Sequence, residues 1–155
     1  MTSRSCRISA LGMVSALGGG HAQTLARLFA KVPPKLARGL ELVNDEVPFV
    51  GKVTVPLAAF PEQWDEYRCR NNALVLTAYL QIEEQVQELI NKFGPFRIGV
   101  VLGTSTSGIA ATEQALRVYR TKGAFPQEYD YTQHEMNSVA DFIAAYAGIT
   151  GPAYT

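Results

Sequence analysis

The sequence has no excess of charge of either sign. Lysine and arginine together number 14, aspartate and glutamate also number 14, and the formal net charge is zero. Binding to nucleic acid or to an anionic membrane requires a basic surface or a long local cluster of lysine and arginine. This sequence has neither, so we expect no nucleic-acid partner and no membrane partner.

Cysteine is scarce. The two cysteines, Cys6 and Cys69, are too few for a disulfide scaffold and lack the spacing of metal ligands. This usage is typical of a reduced cytosolic protein, so we expect a cytoplasmic location and no metal. Cys69 stands between Arg68 and Arg70, where the pKa of a thiol could be lowered. We favour the simpler interpretation, in which Cys69 is an unreactive boundary residue and Cys6 an inert core thiol.

Long apolar runs are also absent. No run reaches the roughly 18–20 residues that a membrane-spanning helix needs. Residues 8–17 follow Arg4 and Arg7 and loosely imitate a signal peptide, but serine and glycine interrupt the run. We therefore expect a buried strand and a glycine turn here.

The composition is that of a folded chain. Of the 155 residues, 47% are hydrophobic and 18% charged, which excludes a disordered chain and fits one ordinary domain or part of a larger one. Apolar periodicity predicts an α/β order. The expected elements are a strand at 6–14, helices at 22–31 and 72–93, strands at 51–55 and 97–102, helices at 109–119 and 132–147, and an extended segment at 153–155.

Three local signals support this order. Pro33 and Pro34 are expected to stop the first helix. The continuous apolar run at 97–102 predicts a strand covered on both faces. Thr132 and Glu135 have the form of a capping box that opens the last helix.

The turn after the predicted strand at 97–102 is the most suggestive motif. Its sequence runs from Gly103 to Gly108 and contains four small hydroxyl residues in a row. A phosphate loop would need lysine and serine or threonine after the second glycine, where isoleucine and alanine stand. A nucleophile elbow would need glycine in place of Ser107, although Ser105 could act with His134 and Asp141 in a hydrolase.

Two other interpretations of this turn remain equally open. It could line a ligand pocket at the carboxyl end of a strand, where open α/β sheets bind substrates. It could also be a tight turn of small residues against which a neighbouring segment packs closely.

Five stretches, in their order and spacing, resemble the amino-terminal half of a β-ketoacyl-acyl-carrier-protein synthase. Residues 7–18 resemble that family's opening strand and turn, and the residues from Thr24 onward resemble its first helix. The other matching stretches are 97–108, 137–140 and 149–152. The resemblance implies the amino-terminal half of a thiolase-like layered α-β-α-β-α fold, occupying residues 1–155 and ending before the nucleophile motif.

The resemblance assigns no catalytic residue to these 155 positions. The family's nucleophilic cysteine follows in a short Ala-Cys-Ser/Thr motif, and its two histidines and lysine come later still. Cys6, Cys69, His21 and His134 match none of those positions. What the resemblance assigns is a substrate-binding wall formed by Gly103, Ser105, Thr106, Ser107 and Gly108, with Thr106 at a gating position.

The implied activity is the decarboxylative Claisen condensation of an acyl thioester with a malonyl thioester on the acyl carrier protein, without a cofactor. The implied partners are that carrier protein and a second subunit, in a homodimer or a heterodimer. Tyr129, Asp130 and Tyr131 resemble a loop that reaches the partner's acyl tunnel. A non-catalytic subunit similar to a chain-length factor is the alternative implied role.

Overall fold

The computed structural model describes residues 5–31, 36–39 and 46–155. Within these ranges the α-helices are α1 (His21–Leu28), α2 (Arg70–Tyr79), α3 (Glu83–Phe93), α4 (Ile109–Lys122) and α5 (Ser138–Ala147). Short 3₁₀ helices lie at Glu62–Tyr67, Pro95–Arg97 and Tyr131–Gln133. None of the helices in the part of the chain described is long and apolar enough to cross a membrane.

The strands form three short pairs. β1 (Val14–Ser15) pairs with β2 (Gly18–Gly19), and β3 (Ala37–Arg38) pairs with β4 (Phe49–Val50), both antiparallel. β5 (Val100–Val101) pairs in parallel with β6 (Ala153–Tyr154). A parallel pair needs a long crossover, and here α4 and α5 both belong to it. This places the 103–108 turn at the carboxyl end of β5.

Helix α5 is the centre of the core. Phe142 is completely buried, and Ile143 is 5% exposed. Leu76 and Tyr79 from α2 and Val100 from β5 pack in the same cluster. α5 thus anchors the segment that leads into it, residues 131–137.

Several predicted elements are confirmed. α1, α4 and α5 lie where helices were expected, Gly123 and Gly148 end α4 and α5 in left-handed conformations, and β6 occupies the predicted extended segment. In α4 the buried residue is Ala115, whereas Ile109 and Leu116 are exposed. Pro33 and Pro34 lie outside the described residues.

Of the strand predicted at 6–14, only the last residue, Val14, is in a strand, and the rest of the prediction is wrong. A strand requires a neighbouring backbone, and Met13 instead hydrogen-bonds the Gln81 side chain through both its N–H and its carbonyl, at 3.1 and 3.0 Å. Ile8 is 88% exposed. Cys6 is exposed too, so its interpretation as a core thiol is wrong. The small strand expected at 51–55 is likewise replaced by β4, two residues earlier.

The predicted helix at 72–93 is two helices. A tight turn separates α2 from α3, in which the N–H of Ile82 donates to the carbonyl of Tyr79 at 2.8 Å. Ile82 has a non-helical φ of −125°. The break divides the apolar stripe of this segment, the apolar residues that recur every three or four positions from Leu76 to Phe93. Leu76 and Tyr79 are buried against α5, while Leu89 and Phe93 in α3 are 38% and 45% exposed.

Two further expectations fail near the turn motif. The last helix does not open on a Thr132–Glu135 capping box, because Asp130 accepts the N–H of Thr132 at 2.8 Å and α5 begins at Ser138. Strand β5 is not covered on both faces by the described residues, since Val100 is buried and Val101 is 78% exposed.

Candidate substrate pocket

The turn between β5 and α4 is held by a threonine side chain. The Thr104 hydroxyl oxygen accepts the N–H of Ser107 at 3.1 Å and that of Thr106 at 3.4 Å. Short hydroxyl side chains stabilise turns in this way by satisfying backbone donors that no helix or sheet uses. Ser105 and Thr106 are consequently held at the outer side of the turn, where both are exposed.

Ser107 faces inward and has a structural partner. It is 5% exposed, and its hydroxyl donates to the carbonyl of Glu135 at 2.7 Å. Its φ of +44° is unusual for a residue with a side chain. The hydrogen bond ties the turn to the segment before α5, so this hydroxyl is already engaged.

Gly108 is required by a close backbone approach. A Cβ at this position would lie 2.1 Å from the carbonyl oxygen of Gln133 and 3.2 Å from the Cβ of Cys69. Gly103 differs, because a Cβ there would meet nothing within 4 Å. The interpretation of a tight turn against a close neighbour therefore holds for Gly108.

A cavity of about 590 Å³ lies between the turn and the segment before α5. Ser105 and Thr106 line it on one side. The other lining residues are Ile109, Tyr131, His134, Glu135, Met136 and Asn137. Of the five residues predicted to bind substrate, two line this cavity, and Gly103, Ser107 and Gly108 do not.

The ring of His134 makes a hydrogen bond to a residue that does not itself line the cavity. Its Nδ1 lies 3.1 Å from the hydroxyl of Thr112 in α4. That hydroxyl lies 3.2 Å from the hydroxyl of Tyr129, and the Tyr131 ring lies 5.6 Å from the imidazole. Sequence reasoning did not place His134 in the pocket, because its partner Thr112 is 22 positions away.

The hydrogen bonds do not form the hydrolase triad. Nδ1 of His134 is paired with Thr112, and Asp141 accepts from the Asn137 side-chain amide at 2.6 Å. Among the described residues no hydrogen bond joins Ser105 to His134 or His134 to Asp141. The hydrolase alternative has no support in this geometry.

The hypothesis of a reactive Cys69 is wrong. The residue is 8% exposed and precedes α2 as its N-cap. Burial raises the pKa of the thiol above its ordinary value, and the N–H groups of Asn72 and Asn71 offset this only in part. Arg68 is paired with Asp65 instead of acting on the thiol. No group of three potential metal ligands occurs within 5–31, 36–39 and 46–155.

A second, apolar cavity of about 330 Å³ lies beside β5. Val75, Ile82 and Val86 from the α2–α3 region line it together with residues 98–102. Phe96, Val101 and Tyr154 around the β5–β6 pair are 68%, 78% and 62% exposed. The described residues thus leave apolar surface on this sheet without cover.

No model of a known protein family matches the sequence, and neither does any curated protein. A solved structure does: a chain in the complex of the ketosynthase ApeO with its chain length factor ApeC, from Xenorhabdus doucetiae. It shares 35% sequence identity over 96% of the present chain, with a TM-score of 0.85. The present chain spans 38% of that chain. The fold is therefore that of a ketosynthase-like, thiolase-like α/β protein.

Proposed function

We propose that this chain is the amino-terminal half of a ketosynthase-type condensing enzyme of fatty acid or polyketide synthesis. The observation that carries the proposal is the likeness to the ketosynthase–chain length factor complex, at 35% identity and a TM-score of 0.85 over 96% of the chain. Identity at this level over almost the whole of the present chain supports a related role as well as a related fold.

In this proposal the chain supplies a wall of the acyl pocket and no catalytic residue. Ser105 and Thr106 contact the acyl chain, while Ser107, Gly103 and Gly108 shape the turn that presents them. The reacting groups belong to sequence outside residues 1–155. There a cysteine thiolate attacks the acyl thioester and releases the carrier thiol. Loss of CO₂ from the malonyl thioester then gives an enolate, which attacks the acyl-enzyme carbonyl, forms the carbon–carbon bond and releases the cysteine thiolate.

The uncovered sheet supports the view that residues 1–155 are half of a larger unit. Val101 and Tyr154 are mostly exposed on the only parallel strand pair of the described residues. Exposed apolar strands are an association hazard unless another layer covers them. The proposed complement is the second thiolase-like half, and the proposed partners are acyl carrier protein and a related subunit.

The coding sequence beyond residue 155 provides the direct test. We expect it to continue as a thiolase-like chain with cysteine in an Ala-Cys-Ser/Thr motif. The complete protein should then condense acyl- and malonyl-carrier substrates, and replacement of that cysteine by alanine should abolish condensation. Residues 1–155 alone should show none. Condensing activity in the 155-residue chain, or a continuation unrelated to thiolases, would contradict the proposal.

A chain-length-factor-like subunit is the second candidate, because the matching structure contains a subunit of that kind. Such a subunit would shape the acyl tunnel without performing chemistry. A residue other than cysteine at the nucleophile position, together with activity only when a cysteine-bearing subunit is added, would favour this role. Activity of the complete protein by itself would exclude it.

A further inference from the structure

Three hydrogen-bonded side chains connect the pocket with a second cavity. His134 lines the pocket between the 103–108 turn and residues 131–137. Tyr129 lines a separate cavity of about 210 Å³, and the two cavities share no lining residue. Thr112 of α4 lines neither, and its hydroxyl oxygen is 3.1 Å from Nδ1 of His134 and 3.2 Å from the hydroxyl of Tyr129. This hydroxyl is therefore a link between the two cavities.

The rings at the two ends of this chain are held by other contacts. The Tyr129 ring stacks on Phe125 with centroids 5.5 Å apart, and the imidazole of His134 lies 5.6 Å from the Tyr131 ring. Aromatic rings at such distances attract one another and keep a preferred mutual geometry. A hydrogen atom can consequently change sides within the chain while both rings stay in place.

Neutral His134 favours one direction for the chain. The Thr112 hydroxyl carries a single hydrogen, and within the described residues its hydrogen-bond partners are Nδ1 of His134 and the hydroxyl of Tyr129. When Nδ1 is unprotonated, Thr112 donates to it and accepts from the Tyr129 hydroxyl. Both hydroxyl hydrogens then have acceptors. In the opposite direction the Tyr129 hydrogen would have none among the residues that the structure describes.

Protonation of the imidazole reverses this direction. Histidine changes its charge between about pH 5 and 8, and both ring nitrogens are donors in the charged form. Thr112 must then accept from Nδ1 of His134, and its own hydrogen is directed to the Tyr129 oxygen. The Tyr129 hydrogen is released from Thr112 and can be donated elsewhere. The second cavity, which Tyr129 lines together with Glu128 and Asp130, offers carboxylate acceptors.

Other titratable groups lie close to the chain. Glu135 is the one carboxylate among the residues that line the pocket, and the residues that α4 and the 103–108 turn contribute to this lining are uncharged. The Tyr131 ring faces the imidazole. These groups act on Tyr129 through space and do not need the Thr112 hydroxyl. The charged residues that line the second cavity are Asp65, Glu66, Arg68, Glu128 and Asp130.

We propose that Thr112 is a positioning residue that couples the two cavities, because it makes the hydrogen-bond direction at Tyr129 depend on the proton state of His134. A ligand in the pocket that donates a hydrogen bond to Nε2 should reverse the chain in the same way, since the ring proton is then on Nδ1. The inference goes beyond the proposed function and does not depend on it.

The test follows both ends of the chain during a pH titration. The 155-residue protein is labelled with ¹³C at the tyrosine Cζ and with ¹⁵N in the histidine rings, and its magnetic resonance spectra are recorded from about pH 5 to 8. The Tyr129 Cζ signal, assigned with Tyr129→Phe, should shift with the same midpoint as the ring nitrogens of His134. His134→Phe should remove the shift. His21→Phe should keep it, because His21 starts α1 and lines neither cavity.

Two substitutions of one residue isolate the hydroxyl. Thr112→Val keeps the shape of the side chain and should remove most of the Tyr129 shift while His134 still titrates. Thr112→Ser retains the hydroxyl and should restore the shift. Thr121→Val is the matched control, because Thr121 is exposed on the same helix and its hydroxyl donates within that helix. This control should show the full shift.

The possible results separate the hydrogen-bond chain from the neighbouring charges. A Tyr129 signal that does not follow His134 in the unsubstituted protein would overturn the inference, and this result does not depend on how any variant folds. A shift of full size in Thr112→Val or in His134→Phe would assign the effect to through-space charge and would overturn it as well. Loss in Thr112→Val with recovery in Thr112→Ser would support it. None of these results bears on the proposed function, which is tested by the sequence beyond residue 155 and by condensing activity.

Discussion

Asn72 and Ser138 form a buried hydrogen bond between α2 and α5. The Asn72 side-chain nitrogen donates to the Ser138 hydroxyl at 3.1 Å, and the two residues are 0% and 1% exposed. The same nitrogen donates to the carbonyl of Tyr67 at 2.8 Å. One amide thus connects the segment before α2, α2 itself and the first residue of α5, directly after the cavity-lining Asn137.

Replacing Asn72 by alanine should destabilise the fold by about 2–3 kcal/mol, because it leaves the partly buried carbonyl of Tyr67 and the buried hydroxyl of Ser138 without this partner and opens a small void. Urea unfolding followed by circular dichroism measures the loss. Asn91→Ala is the matched control, since Asn91 is exposed on α3 and its removal should change stability by less than about 0.5 kcal/mol. Equal effects of the two substitutions would show that the buried amide is not a structural link.

The elements that the sequence predicts well depend on short-range patterns. α4 and α5 each end at a glycine whose left-handed conformation closes the helix, and both ends can be located from the sequence. The break between α2 and α3 cannot, because the apolar stripe continues through Ile82 without interruption. Its two sides differ in tertiary packing: Leu76 and Tyr79 are buried in the cluster around α5, whereas Val86 and Ile90 of α3 are only partly buried against that cluster.

The residues of the pocket, too, could be predicted from the sequence only in part. Ser105 and Thr106 lie three and four positions after the predicted strand at 97–102, so their place near its carboxyl end could be inferred. The contact of His134 with Thr112 spans 22 positions and depends on how residues 131–137 pack against α4. The failed strand at 6–14 has a related cause, because strand formation depends on a neighbouring edge that composition does not reveal.

Gly108→Ala should disrupt the turn, while Gly103→Ala should not. The new Cβ at 108 would be 2.1 Å from the Gln133 carbonyl oxygen, so the backbone on one side must move. We expect a loss of about 1–3 kcal/mol in the free energy of unfolding, in the range of overpacked sites.

At 103 a Cβ meets nothing within 4 Å, and the φ of this glycine is not in the left-handed region. Gly103→Ala should therefore leave the urea midpoint almost unchanged. If Gly108→Ala were equally neutral, Gln133 could not be packed as closely against the turn as the structure has it.

Val101→Glu should reduce self-association of the 155-residue chain. Val101 is 78% exposed beside the mostly exposed Tyr154, and a charge on an exposed strand opposes edge-to-edge and face-to-face contact. Sedimentation velocity at several concentrations measures the change. Gln114→Glu adds the same charge at an exposed position of α4 and should leave association unaltered. A chain that is monomeric before either substitution would count against the half-domain proposal.

The two cysteines should differ sharply in reactivity. Alkylation by iodoacetamide requires an accessible thiolate, and Cys6 is exposed whereas Cys69 is buried with a raised pKa. Mass spectrometry of the native chain at pH 8 should find Cys6 modified first, and Cys6→Ala should leave an almost unreactive protein.

Because the pKa of Cys69 is raised in the fold, the neutral thiol is the favoured form. Its contribution to stability is present below the ordinary value of 9.0 and is lost as the pH rises through the folded-state pKa. Urea unfolding of Cys69→Ala should lack that alkaline decline, and prompt labelling of Cys69 at pH 8 in the folded chain would contradict its burial.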